Sequence, residues 1–242
     1  MNAPLLFIPL ALEWVILITA LAPLVLVNKF RARPQLGIAI WLSAFLSAGL
    51  ATIAAIVIAV LAYFETWNEL NSNSLGGEVW ISALVVSFAP WIALAVGGIS
   101  LALINQRIEP LIATAREIEP LINLSKRPLM NFMGTQVSVV ELPFAYALAT
   151  RKEILISSFV VEHLSKDELD AVLWHELGHV KHSHFQIKRL AGFIKYLSSR
   201  VAASRALVFE IDILCEISAD KFALKNVSAP TLKMARSLFT SL

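Results

Sequence analysis

The sequence predicts a mainly α membrane protein: three N-terminal transmembrane helices followed by a cytoplasmic α+β domain with a small antiparallel sheet. Three observations predict it. Hydrophobic residues make up 57% of the 242 residues and charged residues only 16%, where a soluble globular protein carries about a quarter. Three long runs with almost no charge fall within the first 104 residues. Most of the charge then lies in residues 128–242, where short β-rich segments precede helical patterns. This balance excludes intrinsic disorder, which needs the opposite composition. A net charge of +2 implies no general polyanion surface, so no nucleic-acid partner is expected. The single cysteine, Cys215, excludes an internal disulfide and a cysteine-built metal site.

The candidate spans are residues 5–27, apolar except for Glu13, and the uncharged runs 36–64 and 79–104. Each exceeds the roughly 20 residues a helix needs to cross a bilayer. The first has no Lys or Arg before it and is too long for a signal peptide. The loop after it holds Lys29, Arg31 and Arg33, the loop 65–78 has no basic residue, and Arg107, Arg116, Lys126 and Arg127 follow the third run. Basic loops stay in the cytoplasm, so the N-terminus is expected outside and everything after residue 104 inside, most simply at a plasma or inner membrane. Trp41, Tyr63, Trp67 and Trp80 sit near span ends, where aromatic belts form. Small residues at Ser43, Ser47, Ala51, Ala55 and Ala59 line one helix face, where another helix could approach closely.

Residues 1–106 thus form a transmembrane region. Residues 107–127 read as an amphipathic linker in which Ile-Glu-Pro-Leu-Ile occurs at 108–112 and again at 118–122. Pro suits the first turn of a helix, so two short surface helices are expected there. In residues 128–242, three short strands are expected near 137–141, 145–150 and 154–157, from alternation and β-branched content. Ser165 and Glu168 form the signature of a capping box, so a helix should start near Lys166 and run past Val180.

That helix carries His175-Glu176-Leu177-Gly178-His179, an H-E-x-x-H motif. Imidazoles four residues apart stand on one helix face and can bind one zinc ion at about 2.0–2.1 Å. Glu176 is placed to take a proton from an attacking water and to give it to a leaving amine. Gly178 is expected to leave room beside the metal. Such a site needs a third protein ligand. Glu210, Asp212, Glu216 and Asp220 are the acidic candidates, all in a helical pattern from about 202 to 224. Glu216 and Asp220 share a face, so one could bind metal while the other orients an imidazole; periodicity alone does not choose them over Glu210 or Asp212. His182 and His184 are expected at the helix end or the membrane surface. Residues 187–213 hold too many basic residues for an ordinary span and suit an amphipathic surface helix. Cys215 is expected to be a buried, inert thiol and Trp174 a core residue.

The run from Leu169 to His184, followed by Glu216-Ile217-Ser218-Ala219-Asp220-Lys221-Phe222-Ala223, resembles the HtpX and CAAX-prenyl-protease family of integral-membrane zinc endopeptidases. The resemblance covers roughly residues 135–224. It implies a gluzincin-type, zincin-like metallopeptidase domain over 128–242 with one Zn2+ per chain. It also implies His175, His179 and Glu216 as the metal ligands, Glu176 as the catalytic base and Asp220 as the residue that orients a ligand. A sheet edge above the metal would bind extended peptide. The sequence departs from the family near 143–147, where Phe144 stands in place of an expected Asn. Tyr196, Lys225 and Arg236 are the remaining candidates for an oxyanion stabiliser.

The implied activity is that of a membrane-anchored zinc endopeptidase. It would hydrolyse peptide bonds of proteins, including misassembled membrane proteins, on the cytoplasmic face of the lipid bilayer. The competing readings are a sensor-transducer protease that cuts one regulatory protein and a catalytically silent membrane scaffold of the same fold. An intact Glu176 speaks against the scaffold.

Overall fold

The computed structural model describes residues 7–72, 126–198 and 201–240. Helix α1 (Phe7–Leu26) and helix α2 (Pro34–Ser72) come first. A four-stranded sheet follows, built from β1 (Lys126–Phe132), β2 (Thr135–Val140), β3 (Ala147–Ala149) and β4 (Glu153–Ser157). Five helices follow among the described residues: α3 (Ser158–His163), α4 (Lys166–Lys181), α5 (His184–Leu197), α6 (Ala202–Ala223) and α7 (Ala229–Thr240). The chain divides into two units, one of residues 1–24 and 42–112, the other of Val25–Trp41 and 113–242.

In the first unit, α1 and most of α2 cover the first two predicted spans. The stretch Pro34–Leu61 is long and apolar enough to cross a membrane, and Leu10–Leu26 is a shorter apolar helix. Leu46, Leu50, Ile53 and Ile56 are exposed, as on a helix whose side chains meet lipid. The small-residue face of α2 receives α1: Trp14 Nε1 donates to Ser47 Oγ at 3.2 Å, and Ala51 and Ala55 line a cleft with Leu10, Glu13, Trp14 and Leu17. The third predicted span and most of the linker lie outside the described residues. Trp41 does not join an aromatic belt; it is fully buried in the second unit.

The sheet is mixed, not antiparallel as the strand pattern predicts. Its order is β1-β2-β4-β3, with β2 and β4 parallel and the outer pairs antiparallel. The chain leaves β2, passes the place of β4 to lay down β3 at the far edge, then turns back and inserts β4 between them. A strand entering in this way must run parallel to β2. The sequence pattern also misses β1, because Lys126, Arg127 and Pro128 do not look like a strand. Pro is tolerated on an edge, and the register breaks between Pro128 and Met130. A two-residue turn joins β1 to β2, with Met133 at φ 49° and Gly134 at φ 82°. Two consecutive positive φ values match the hand of a hairpin turn, and Asn131 Oδ1 accepts from Gly134 N–H at 2.9 Å.

One sheet face packs on α4 through Phe132, Val137, Ile154, Ile156, Leu173 and Leu177, all buried. A second cluster joins α4, α6 and α7 through Ala171, Val172, Ala223, Leu232 and Ala235. Each fully buried aliphatic side chain contributes roughly 1.5–3 kcal/mol, so α4 is held on two sides. Its start is fixed by the expected capping box: Ser165 accepts from Glu168 N–H while the Glu168 carboxylate accepts from Ser165 N–H. Trp174 is half-buried and meets Phe132 edge-on, with ring centroids 5.2 Å apart.

Gly178 serves a different purpose from the one expected. A Cβ there would lie 3.0 Å from Ala219 Cα and 3.2 Å from Phe222 Cβ. The glycine makes room for the backbone of α6, not for a metal ion. Gly178→Ala should therefore lower stability by about 1–3 kcal/mol through overpacking, although alanine is the better helix former by about 1 kcal/mol. Thermal unfolding measures this. A raised melting temperature would show that the α4–α6 contact has slack.

Candidate metal centre

The close approach at Gly178 brings the acidic helix α6 against the histidine face of α4. His175 and His179 stand one turn apart with their Nε2 atoms 3.2 Å from each other. Glu216, six residues before the end of the apposed contact face at Phe222, reaches both: Oε2 lies 3.4 Å from His175 Nε2 and Oε1 lies 3.6 Å from His179 Nε2. These three side chains form a group whose donor atoms lie within 4.8 Å of one another. Donors about 2.0–2.1 Å from a tetrahedral zinc ion are separated by about 3.3–3.4 Å. The observed triangle of 3.2, 3.4 and 3.6 Å has that size, and its chemistry is two imidazoles and a carboxylate. The residues present therefore fit a divalent ion.

The surrounding hydrogen bonds leave those faces of the rings free for a metal. Asp220 Oδ1 is 2.9 Å from His175 Nδ1, which directs the His175 proton to Nδ1 and the lone pair to Nε2. Arg236 in turn holds Asp220 through Nη1 and Oδ2. His184 Nδ1 lies 2.9 Å from His179 Nδ1, so the second imidazole is oriented in the same way by a neighbouring ring. Ligating histidines usually have such a partner on the other nitrogen.

The sequence pattern suggests a helix end or the membrane surface for His184. It does begin α5, but it is buried and faces His179. Burial and the neighbouring His179 push its pKa down to about 3, which keeps the ring neutral and able to accept. Spacing could have hinted at this only if the turn were known: Ser183, at φ 55°, folds α5 back on α4. Lys188, one turn further along α5, was also missed. Its Nζ is 3.1 Å from Glu216 Oε1 and 3.5 Å from Asp212 Oδ1.

Electrostatics bind the cluster together. Burial opposes a charge on His175, but hydrogen bonds to Asp220 and Glu216 and the charge of Glu176 outweigh it and raise its pKa to about 9. Burial likewise disfavours a charged Glu216, yet hydrogen bonds from His175 and His179 and the nearby Lys188 hold its carboxyl well below the ordinary range. A shared proton and a divalent ion are alternative occupants of such a donor set, since metal binding displaces protons from its ligands. Glu176 lies on the same side of α4. Burial raises its pKa, while His175 and His179 oppose the rise and a backbone hydrogen bond from Ala149 favours the charged form.

The other predicted candidates fall elsewhere. Asp212 is on the exposed side, paired with Lys188. Glu210 is buried and accepts from Asn28 N–H at 3.2 Å, away from the histidines. Among the oxyanion candidates, Arg236 lines a cavity of about 210 Å³ with Val172, His175, Glu176, Glu216 and Leu232. The Tyr196 hydroxyl is buried without a hydrogen-bond partner among the described residues, and neither it nor Lys225 lines the described clefts at this cluster. Cys215 is buried, and burial pushes its thiol up to about 12, as an inert thiol requires.

The short strand β3 borders the cluster. Tyr146 O accepts from Ser157 N–H and Thr150 N–H donates to Glu153 O. Antiparallel pairing alternates, so the backbone groups of Ala147 and Ala149 turn away from β4. Both residues line a cleft of about 420 Å³ with His175, Glu176, His179, His184, Lys188 and Glu216.

Residues 113–207 match peptidase family M48. This segment holds the H-E-x-x-H helix and stops short of Glu216 and Asp220. The chain resembles the HtpX-like M48 peptidases. A protease HtpX homologue of Helicobacter acinonychis is 29% identical over 87 residues, 34% of this chain and 28% of the relative. HtpX homologue 1 of Sulfolobus acidocaldarius is 38% identical over 61 residues, 24% of this chain and 20% of the relative. The chain thus matches less than a third of the length of these curated relatives. The donor triangle predicts that Glu216→Ala reduces metal content to near zero. Asp212→Ala should keep about one ion per chain. Elemental analysis of the purified variants decides it; equal metal in both would remove Glu216 from the ligand set.

Proposed function

We propose that this protein is a membrane-anchored zinc endopeptidase that cleaves protein substrates at the cytoplasmic face of the bilayer. The observation that supports it best is the convergence of His175, His179 and Glu216 into one donor triangle with Glu176 beside it, in a segment that matches a peptidase family. His175, His179 and Glu216 would hold the ion, with Asp220 orienting His175 and His184 orienting His179. When bound, zinc supplies Lewis-acid polarisation of the scissile carbonyl and a lowered pKa for water.

The chain's own residues account for the rest. The outward backbone groups of Ala147 offer a strand edge to which an extended peptide can add, a mode that is indifferent to side chains, while the Ala149 N–H already meets the Glu176 carboxylate. Pairing there would carry the scissile bond past Glu176. Burial keeps the affinity of Glu176 for a proton above that of an ordinary carboxylate. It is thus suited to take a proton from the attacking water oxygen and return it to the leaving amine nitrogen. Arg236 lines the smaller cavity and Lys188 the larger cleft beside the cluster, and either would bring positive charge toward a polarised carbonyl oxygen. The apolar stretch Pro34–Leu61 supports attachment to a membrane, and Lys29, Arg31 and Arg33 beside it support the cytoplasmic orientation.

Glu176→Gln preserves shape while removing the base. It should retain about one zinc per chain and lose casein cleavage by about 10²-fold or more, measured on full-length protein in detergent. Cleavage at the parent rate would remove Glu176 from the base role. Zinc binding without any turnover by the parent would favour the scaffold, and cleavage of a single cellular protein the transducer.

A further inference from the structure

The helix that carries Glu216 and Asp220 has a second occupied face. Glu210, Leu214, Ser218 and Lys221 follow one another at intervals of four, four and three residues. At about 100° per residue they form one stripe, roughly 135° round α6 from the Glu216–Asp220 stripe. The loop that joins α1 to α2 lies along this stripe, within the same structural unit. At one end, Asn28 N–H donates to Glu210 Oε2 at 3.2 Å. Arg31 Nη2 stands 3.9 Å from Glu210 Oε1. At the other end, Lys221 Nζ donates to the backbone oxygens of Arg31 at 3.3 Å and Ala32 at 2.6 Å. Between them Gln35 Nε2 donates to Ser218 Oγ at 3.2 Å. A Cβ on Gly37 would collide with Phe30 Cβ and fall 2.9 Å from Leu214 Cδ1, so glycine lets the start of α2 fold back on Phe30 of the loop beside α6.

The loop itself is shaped for this contact. Asn28 takes the left-handed conformation at φ 63°, which Asn tolerates better than most residues. Its side-chain oxygen accepts from Arg31 Nε at 3.1 Å. Glu210 is buried, and a buried carboxylate is costly without partners. Two partners, Asn28 and Arg31, come from a loop some 180 residues away in sequence. A contact of this kind resists rotation of α6. A turn of 20° about the axis would carry a carboxylate about 6 Å from that axis by roughly 2 Å, enough to break a donor triangle of 3.2–3.6 Å.

We infer that the α1–α2 loop is a brace for the metal centre: through Glu210 and Lys221 it fixes the rotation of α6 and so the reach of Glu216 toward His175 and His179. Glu210 and Lys221 are positioning residues. The inference rests on the proposed metal site and ties its third ligand to the covalent join between the two apolar helices.

The test uses full-length protein in detergent, with Co2+ as a spectroscopic probe and zinc affinity measured by chelator competition. Lys221 is exposed, so Lys221→Met leaves the core intact. It should weaken zinc about tenfold, near the lower end of what loss of an orienting partner costs, and shift the cobalt absorption bands. Glu210→Gln should move both readouts the same way, and Lys221→Arg should restore both. Parent-like affinity and bands in Lys221→Met and Glu210→Gln, even with lowered melting temperatures, would overturn the brace. So would a loss in Lys221→Met that Lys221→Arg does not rescue. If the parent itself takes up no cobalt, the metal site fails and the brace falls with it. A parent that binds one ion, beside variants that bind it equally well, overturns the brace alone.

Discussion

The contact on which this structure depends is the close approach of two helices at Gly178. The motif helix supplies two imidazoles, but a metal site also needs a ligand from elsewhere in the chain. That ligand can arrive only if α6 comes near enough for a glutamate side chain to span the gap. The missing side chain at Gly178 lets Ala219 and Phe222 of α6 sit against α4. Glu216 and Asp220 are then carried to the Nε2 and Nδ1 sides of His175, respectively. One absent methyl group thus sets the spacing of the whole cluster.

Around that contact, each functional group is held by a neighbour. Asp220 is pinned by Arg236, His179 by His184, and α6 by the loop at its back. The sheet contributes stiffness on the other side of α4 and an edge strand whose outward backbone groups face the cleft. The cluster is therefore pre-organised from several directions, as the proposed metal and peptide site requires.

Much of this was legible in the chain. The capping box at Ser165 and Glu168 and the four-residue spacing of the histidines report purely local geometry, and the helix over Lys166–Lys181 follows from them. The small-residue face of α2 was readable for the same reason. What was not legible depends on tertiary context. The order of the sheet turns on where β3 is laid down, which alternation in β4 cannot encode. The strand β1 hides behind Lys126, Arg127 and Pro128 because an edge strand tolerates what a central one would reject. His184 looked like a surface residue because its role depends on the turn at Ser183. Glu210 and Glu216 looked equivalent as acidic positions on one helix, and only the packing of both faces of α6 separates them. The family resemblance distinguishes them where periodicity does not, and the structure brings Glu216, not Glu210, beside the two imidazoles.

The central claim is that two imidazoles and one carboxylate from α4 and α6 bind the same ion. X-ray absorption spectroscopy of the zinc-loaded, full-length protein in detergent tests it most directly. The account predicts one zinc per chain with two imidazole nitrogens and carboxylate oxygen at about 2.0–2.1 Å. A spectrum with three or more imidazoles, which would enlist His184 as a ligand, or protein that holds no stoichiometric zinc, would contradict it.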